Sequence, residues 1–287
     1  MQNNTKQILP VNNHNYSEYF VRLTKEFLAN PDSNSQFQKE LDFFVGYSNK
    51  YGHGNTLLEI GCGVGRTLVF LAKEGYKCFG IDFDPMQIKF AEEIKNELGV
   101  KNITFLTTNH VDEVFQGREF NIVISNDLVE HLPEKELIKY FEQVHSLLDE
   151  KGIFLIHSKP LKYTYLLKKK FIFFVLIFFF LPNNLFNLYL KLLDYTVPRI
   201  YKFFTKRNLQ DTWQDLPPGH CNPPDDEIIR TLLENSGFIV EEINTYHSGT
   251  HKYSKVFRKI LKSKKLNTSI NIYCTKQESK HSFRVIK

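Results

Sequence analysis

Cysteine is scarce in this chain. There are four in 287 residues, at Cys62, Cys78, Cys221 and Cys274, and no two form a Cys-x-x-Cys pair. Their isolation argues against a zinc ribbon or a disulfide framework and fits a reducing, cytoplasmic setting. No basic start runs into an apolar stretch, so the sequence shows no signal peptide. No internal repeat is evident. The uninterrupted apolar run at 171–181 holds eleven residues. As a helix it covers roughly half of a ~30 Å hydrocarbon layer, so a full transmembrane span is not expected.

Charge is unevenly spread. The net charge is +5, yet residues 161–210 carry nine Lys or Arg against one acid, and residues 249–287 carry eleven against one. The remainder is therefore acidic. Basic segments of this kind suit an anionic surface such as lipid or nucleic acid. A solvated Lys-rich surface is the plainer reading, and a nucleic-acid partner is not favoured. The apolar fraction of 42% suffices for a packed core, and the length suits one large domain or one domain with an insertion.

The most informative stretch is 57–66, Leu-Leu-Glu-Ile-Gly-Cys-Gly-Val-Gly-Arg. Residues Thr56–Ile60 read as a buried parallel strand. Gly61, Gly63 and Gly65 then form a turn, and Leu68, Val69, Leu71 and Ala72 open a helix. Glycine there lets a ligand approach the backbone closely. A dinucleotide site wants Gly-x-Gly-x-x-Gly, whose third glycine would fall on Arg66, which disfavours a Rossmann oxidoreductase. A second strand, Lys77–Asp82, ends on Asp82, near the ~20-residue offset of a ribose-binding carboxylate. Asp84-Pro85 caps the next helix, and Gly99 stops it. Strands follow at 103–106, 120–125 and 152–157, with a helix at 134–148. Strands alternating with helices predict an α/β fold with a doubly wound sheet.

This pattern resembles the class I S-adenosylmethionine-dependent methyltransferases, from about residue 50 to 160 and again from 219 to 276. The resemblance implies a mostly parallel seven-stranded sheet, a Rossmann-like methyltransferase fold. It also implies S-adenosylmethionine as cofactor, held by Glu59, Gly61, Cys62, Gly63, Gly65 and Asp82, with Phe83 along the adenine. Asn109 would meet the adenine amine, and Asn126 would line the same cleft. The family commonly has Asp where Asn109 stands, and Phe-Asp where this chain has Phe120-Asn121.

Asp127-Leu-Val-Glu-His131 follows the fourth strand, and His220 stands in Pro-Pro-Gly-His-Cys. A helical turn would put Asp127, Glu130 and His131 on one face. The set is similar to that of the ubiquinone-biosynthesis O-methyltransferases, which implies catalytic roles for Asp127, Glu130, His131 and His220. A histidine can take a proton from a hydroxyl at neutral pH. Two carboxylates and two imidazoles also suit a divalent cation, and a structural role for the set stays open beside both.

The expected organisation is a helical lid over residues 1–50, a cofactor-binding core over 51–160, an apolar and basic helical insertion over 161–218, and the C-terminal part of the sheet over 219–287. A hairpin of 239–245 and 269–274 would lie at the sheet edge. The apolar run of the insertion reads as a buried helix under a cap, an interfacial helix on an anionic membrane, or an oligomer interface. The expected activity is methyl transfer, most simply to oxygen, on a small-molecule or lipid-linked acceptor. Methylation of a cell-surface saccharide, or a catalytically silent membrane-associated binding module, are the rival readings. The expected location is the cytoplasm, peripheral on the inner membrane face if the insertion touches lipid.

Overall fold

The computed structural model describes residues 13–30, 35–159, 225–246 and 269–277, with Leu185, Leu188 and Leu192 as isolated positions. The elements are α1 (Asn13–Ala29), α2 (Ser35–Tyr51), β1 (Thr56–Ile60), α3 (Arg66–Lys73), β2 (Lys77–Asp82), α4 (Pro85–Glu97) and β3 (Ile103–Thr107). They continue with a single turn α5 (Val111–Val114), β4 (Phe120–Asn126), α6 (Glu134–Leu147) and β5 (Leu148–Ser158). Numbering the described elements onward, α7 is Asp226–Asn235, β6 is Phe238–Tyr246 and β7 is Ser269–Lys276.

All seven strands form one sheet in the order β3-β2-β1-β4-β5-β7-β6. The first five pair in parallel. β7 runs antiparallel to both β5 and β6. The expected edge pair is therefore present, with β6 outermost and β7 between it and the parallel strands. The order reverses between β1 and β4, which makes a crevice at the carboxyl ends of these two strands, where ligands bind in open α/β sheets.

Strand periodicity divides the core in two. Leu57, Ile122, Ile124, Ile153 and Leu155 face α2, α3 and α4. Their neighbours Leu58, Val123, Phe154 and Ile156 face α6 and α7. Successive strand residues point to opposite faces, so both faces need apolar residues when helices cover both. The helix ends follow from local chemistry. The Asp84 side chain accepts from the Met86 N–H at 2.9 Å, with proline in the first turn of α4. Asp225 accepts from the Glu227 and Ile228 N–H groups at the start of α7. Asn121, which stands where the resembled family has Asp, is structural. Its Oδ1 accepts from the Thr56 N–H at 3.0 Å and hydroxyl at 2.7 Å, and its amide reaches Asp149, so it ties β1 to β4.

Among the described residues no helix is long and apolar enough to cross a membrane. The run at 171–181 and, apart from Leu185, Leu188 and Leu192, the rest of the insertion lie outside them.

Phe154 is fully buried and meets the rings of Tyr140, Phe141 and Phe238. Phe154→Ala should cost about 3–5 kcal/mol through lost burial and the cavity left behind. Denaturant unfolding followed by circular dichroism checks this, with Ile239→Ser on the exposed face of β6 expected to stay within about 0.5 kcal/mol.

Candidate active site

The crevice is built from the loops that follow β1 to β5. After β1 the chain turns back through Gly61 to Gly65, with the Gly61 and Cys62 N–H groups donating to the Ile81 carbonyl at 2.8 and 2.9 Å. Asp82, at the end of β2, holds this turn. Its Oδ2 accepts from the Gly63 N–H and its Oδ1 from the Asp84 N–H, each at 2.9 Å. Burial pushes the Asp82 carboxyl above its usual value, against the pull of these backbone donors. Each oxygen keeps acceptor capacity for a ligand hydroxyl.

Gly63 and Gly65 require glycine for different reasons. At Gly65 (φ 71°) a side chain would strike the Phe105 ring; at Gly63 (φ 53°) it would project into space whose nearest atom is Gln87 Oε1 at 3.8 Å. The first is a packing constraint within the protein. The second leaves a cradle that a Cβ would begin to fill. Beside it, Glu59 Oε2 and Asn126 Oδ1 are buried without a hydrogen-bond partner. Burial pushes Glu59 up to about 8. Phe83 is 68% exposed. Asn109 is also exposed, on the loop after β3, and Cys62 is buried with its thiol pushed well up by burial. An open cradle, orphaned polar atoms and an exposed ring fit a ligand with a hydroxylated ribose and an aromatic base.

The loops after β4 and β5 form the other wall. Asp127 adopts a left-handed backbone (φ 53°), uncommon for a residue with a side chain and a place where strain is held by its surroundings. Its N–H donates to the His157 carbonyl at 2.9 Å. A single 3-10 turn, Val129–His131, follows. Glu130 is fully buried and accepts from the Ser158 hydroxyl at 2.6 Å, while its other oxygen has no hydrogen-bond partner. Burial, then the nearby Asp127 charge, pushes it up to about 8. His131 ends the turn, half-buried. His220 lies outside the described residues.

Around Asp127 the structure assembles a set that includes residues not singled out in the sequence. Lys159 Nζ lies 2.7 Å from both Asp127 Oδ2 and Glu40 Oε1. His157 Nε2 faces Asp127 Oδ1 at 3.5 Å and Glu40 Oε1 at 3.6 Å. Its Nδ1 pairs with Asn271 Oδ1 at 2.7 Å. Arg66, next to Gly65, reaches Glu40 Oε2 at 3.2 Å and stacks over Phe37. Burial alone would raise Glu40, but Lys159, His157 and Arg66 outweigh it and hold the acid down to about 2. Burial likewise works against the Lys159 ammonium, and Asp127 and Glu40 together hold it well above its usual value. One signal for Glu40 was readable: a carboxylate amid the apolar stripe Phe37, Leu41, Phe44 of α2, all buried. His157 and Lys159 had no local signal beyond their place at the carboxyl end of a strand.

The crevice thus has the arrangement of an S-adenosylmethionine-binding sheet. The methyltransferase-domain family model matches residues 13–243, most of the chain, and the chain belongs to that family. Its sequence is similar to norajmaline N-methyltransferase of Rauvolfia serpentina, 33% identical over 82 residues, 28% of this chain and 28% of that protein. It is also similar to the chloroplastic tocopherol O-methyltransferase of Arabidopsis thaliana, 31% identical over 81 residues, 28% of this chain and 23% of that protein. The match therefore spans about a quarter of each relative's length. The fold is similar to that of magnesium protoporphyrin IX methyltransferase from Synechocystis PCC 6803, solved with bound SAH, with a TM-score of 0.52 at 18% identity, covering 84% of each chain.

Glu59 and Glu130 give the fold a pH dependence. Both shift upward from 4.5 to about 8. Between these values the unfolded chain has released protons that the native state keeps, so stability falls as pH rises from about 4.5 to about 8. Glu130→Gln, isosteric with the protonated acid, should flatten the profile in this window and raise stability relative to the parent at the alkaline end. Urea midpoints measured from pH 5 to pH 9 check this.

Proposed function

We propose that the protein transfers a methyl group from S-adenosylmethionine to the oxygen of a small-molecule or lipid-linked acceptor. The observation that carries the reading is the Gly63 cradle latched to Asp82. In this reading Glu59, Gly61, Cys62, Gly63 and Gly65 line the methionine side of the cofactor. Asp82 holds the ribose hydroxyls, Phe83 and Asn109 flank the adenine, and Asn126 closes the floor. When bound, S-adenosylmethionine supplies a methyl group already activated by its sulfonium.

The chain's own task is then to orient the acceptor and remove its proton. Asp127, Glu130, His131 and His220 are the residues proposed for the acceptor end. Asp127 is the best supported of them, because its buried Oδ1 lacks a hydrogen-bond partner and can receive a hydroxyl proton. His157 Nε2, also without a hydrogen-bond partner, stands behind it. The Lys159 ammonium beside Asp127 is a hydrogen-bond donor with no lone pair, which suits an acceptor oxygen that gains negative charge. The relatives named above include one called an N- and one called an O-methyltransferase, so this local charge supports the choice of oxygen. A lipid-linked acceptor and contact with an anionic membrane on the cytoplasmic side rest on the apolar, basic composition of 161–210.

Isothermal titration with S-adenosylhomocysteine and, separately, NADH tests the cofactor. Binding of the first and none of the second is expected. Gly63→Val should abolish S-adenosylhomocysteine binding while circular dichroism stays native, although a β-branched residue in this left-handed backbone costs more than the ~1–2 kcal/mol of an ordinary side chain, so the melting temperature should fall. Asp82→Ala should weaken binding about 10- to 100-fold through loss of a charge-assisted partner. Unchanged affinity in both variants, or preference for NADH, overturns the assignment.

A further inference from the structure

The Glu40–Asp127–His157 set has the donors of a metal site. One oxygen from each acid and one imidazole nitrogen lie within 4.8 Å of one another. A first-row divalent ion with ligand distances of about 2.0–2.2 Å draws its donors to roughly this spacing. His157 is fully buried, and its Nε2 points into the set without a hydrogen-bond partner. Carboxylate and imidazole donors suit Zn²⁺ or Mn²⁺.

A cation is already there. The Lys159 ammonium bridges the two acids at 2.7 Å on each side, and the Arg66 guanidinium touches the far oxygen of Glu40 at 3.2 Å. Among the described residues, and with the imidazole neutral as a metal ligand would be, the two acids and the two basic side chains balance. A divalent ion added to this set would leave a strong positive excess in a poorly solvated place, which is costly. Without Lys159, the same donors would be one negative charge in excess, with space where Nζ had been.

We propose that Lys159 is a tethered cation that fills a latent divalent-metal site at the acceptor end of the crevice, so that the acid–imidazole set works there without a metal ion. The inference deepens the methyl-transfer reading and rests on it for the word acceptor. Lys159 has three N–H groups and spends two on Glu40 and Asp127. Among the described residues the third has no acceptor within hydrogen-bond distance, and it is the one assigned to an acceptor oxygen, the place where a metal ion would otherwise polarise it. Glu40 also gives the tether a second role. It belongs to α2, and through Lys159 and Arg66 it joins that helix to the strand ends on both sides of the crevice.

The test is titration of Zn²⁺ and Mn²⁺, each alone, into the full-length protein and its variants. Lys159→Ala should acquire one site that binds at least about tenfold more tightly than any on the parent protein, as expected from removing a charge a few ångströms away. Lys159→Ala combined with His157→Ala should lose that site, which separates it from adventitious binding by other histidines. Lys159→Arg, which keeps the charge, should acquire none. If Lys159→Ala does not fold, Lys159→Gln serves in its place, and its melting temperature should rise with Zn²⁺ while that of the parent does not. A stoichiometric ion bound by the parent and lost in His157→Ala overturns the inference, as does a folded Lys159→Ala or Lys159→Gln with no gain. S-adenosylhomocysteine titrations run alongside keep the two readings apart. Cofactor binding without metal gain sinks only the tethered cation, whereas absence of cofactor binding in the parent sinks the methyl-transfer reading.

Discussion

One carboxylate organises the crevice. Asp82 takes the Gly63 amide from the loop after β1 and the Asp84 amide from the loop after β2. Its own carbonyl accepts from the Thr108 N–H beyond β3 at 2.9 Å. Three loops at the carboxyl ends of three adjacent strands therefore meet at one residue. Backbone amides bound to a buried acid are strong, shortened interactions, and here they hold a glycine in a left-handed turn facing open space. The cradle at Gly63 is a consequence of that latch, as is the direction in which Phe83 leaves the sheet.

A second set of charges joins what the sheet alone would leave separate. α2 precedes the first strand, yet its Glu40 binds Arg66 at the start of α3 and Lys159 at the end of β5. The acid is fully buried between them. Removing one partner of such a group strands a charge, so the Gly61–Gly65 turn, the end of β5 and α2 are expected to respond together to changes at Glu40. Asp127 completes the bridge from a strained backbone position, held by its hydrogen bond to the His157 carbonyl.

Much of the fold was legible because its signals are local. Glycines at alternate positions after an apolar run, Asp84-Pro85 at a helix start, and Asp82 at the expected distance each report a short-range constraint. The apolar strands announced two covered faces. The acid–imidazole set was less legible because it is long-range. Glu40, Asp127, His157 and Asn271 come from four separate parts of the chain, and only topology brings them together. The Asp127-x-x-Glu130-His131 spacing suggested one helical face, but a left-handed residue and a 3-10 turn stand where that helix would start. Asp127 is turned towards His157 and Lys159, and the group of donors close enough to share an ion, among the described residues, contains neither Glu130 nor His131.

The central claim is that the crevice between β1, β2 and β4 receives S-adenosylmethionine. A crystal structure of the protein grown with S-adenosylhomocysteine tests it most directly. The account predicts the ligand over Gly61 to Gly65, its ribose hydroxyls within hydrogen-bond distance of the Asp82 carboxylate and its adenine against Phe83. A ligand bound elsewhere, or a crevice closed by the protein's own side chains while the ligand is saturating, would contradict it.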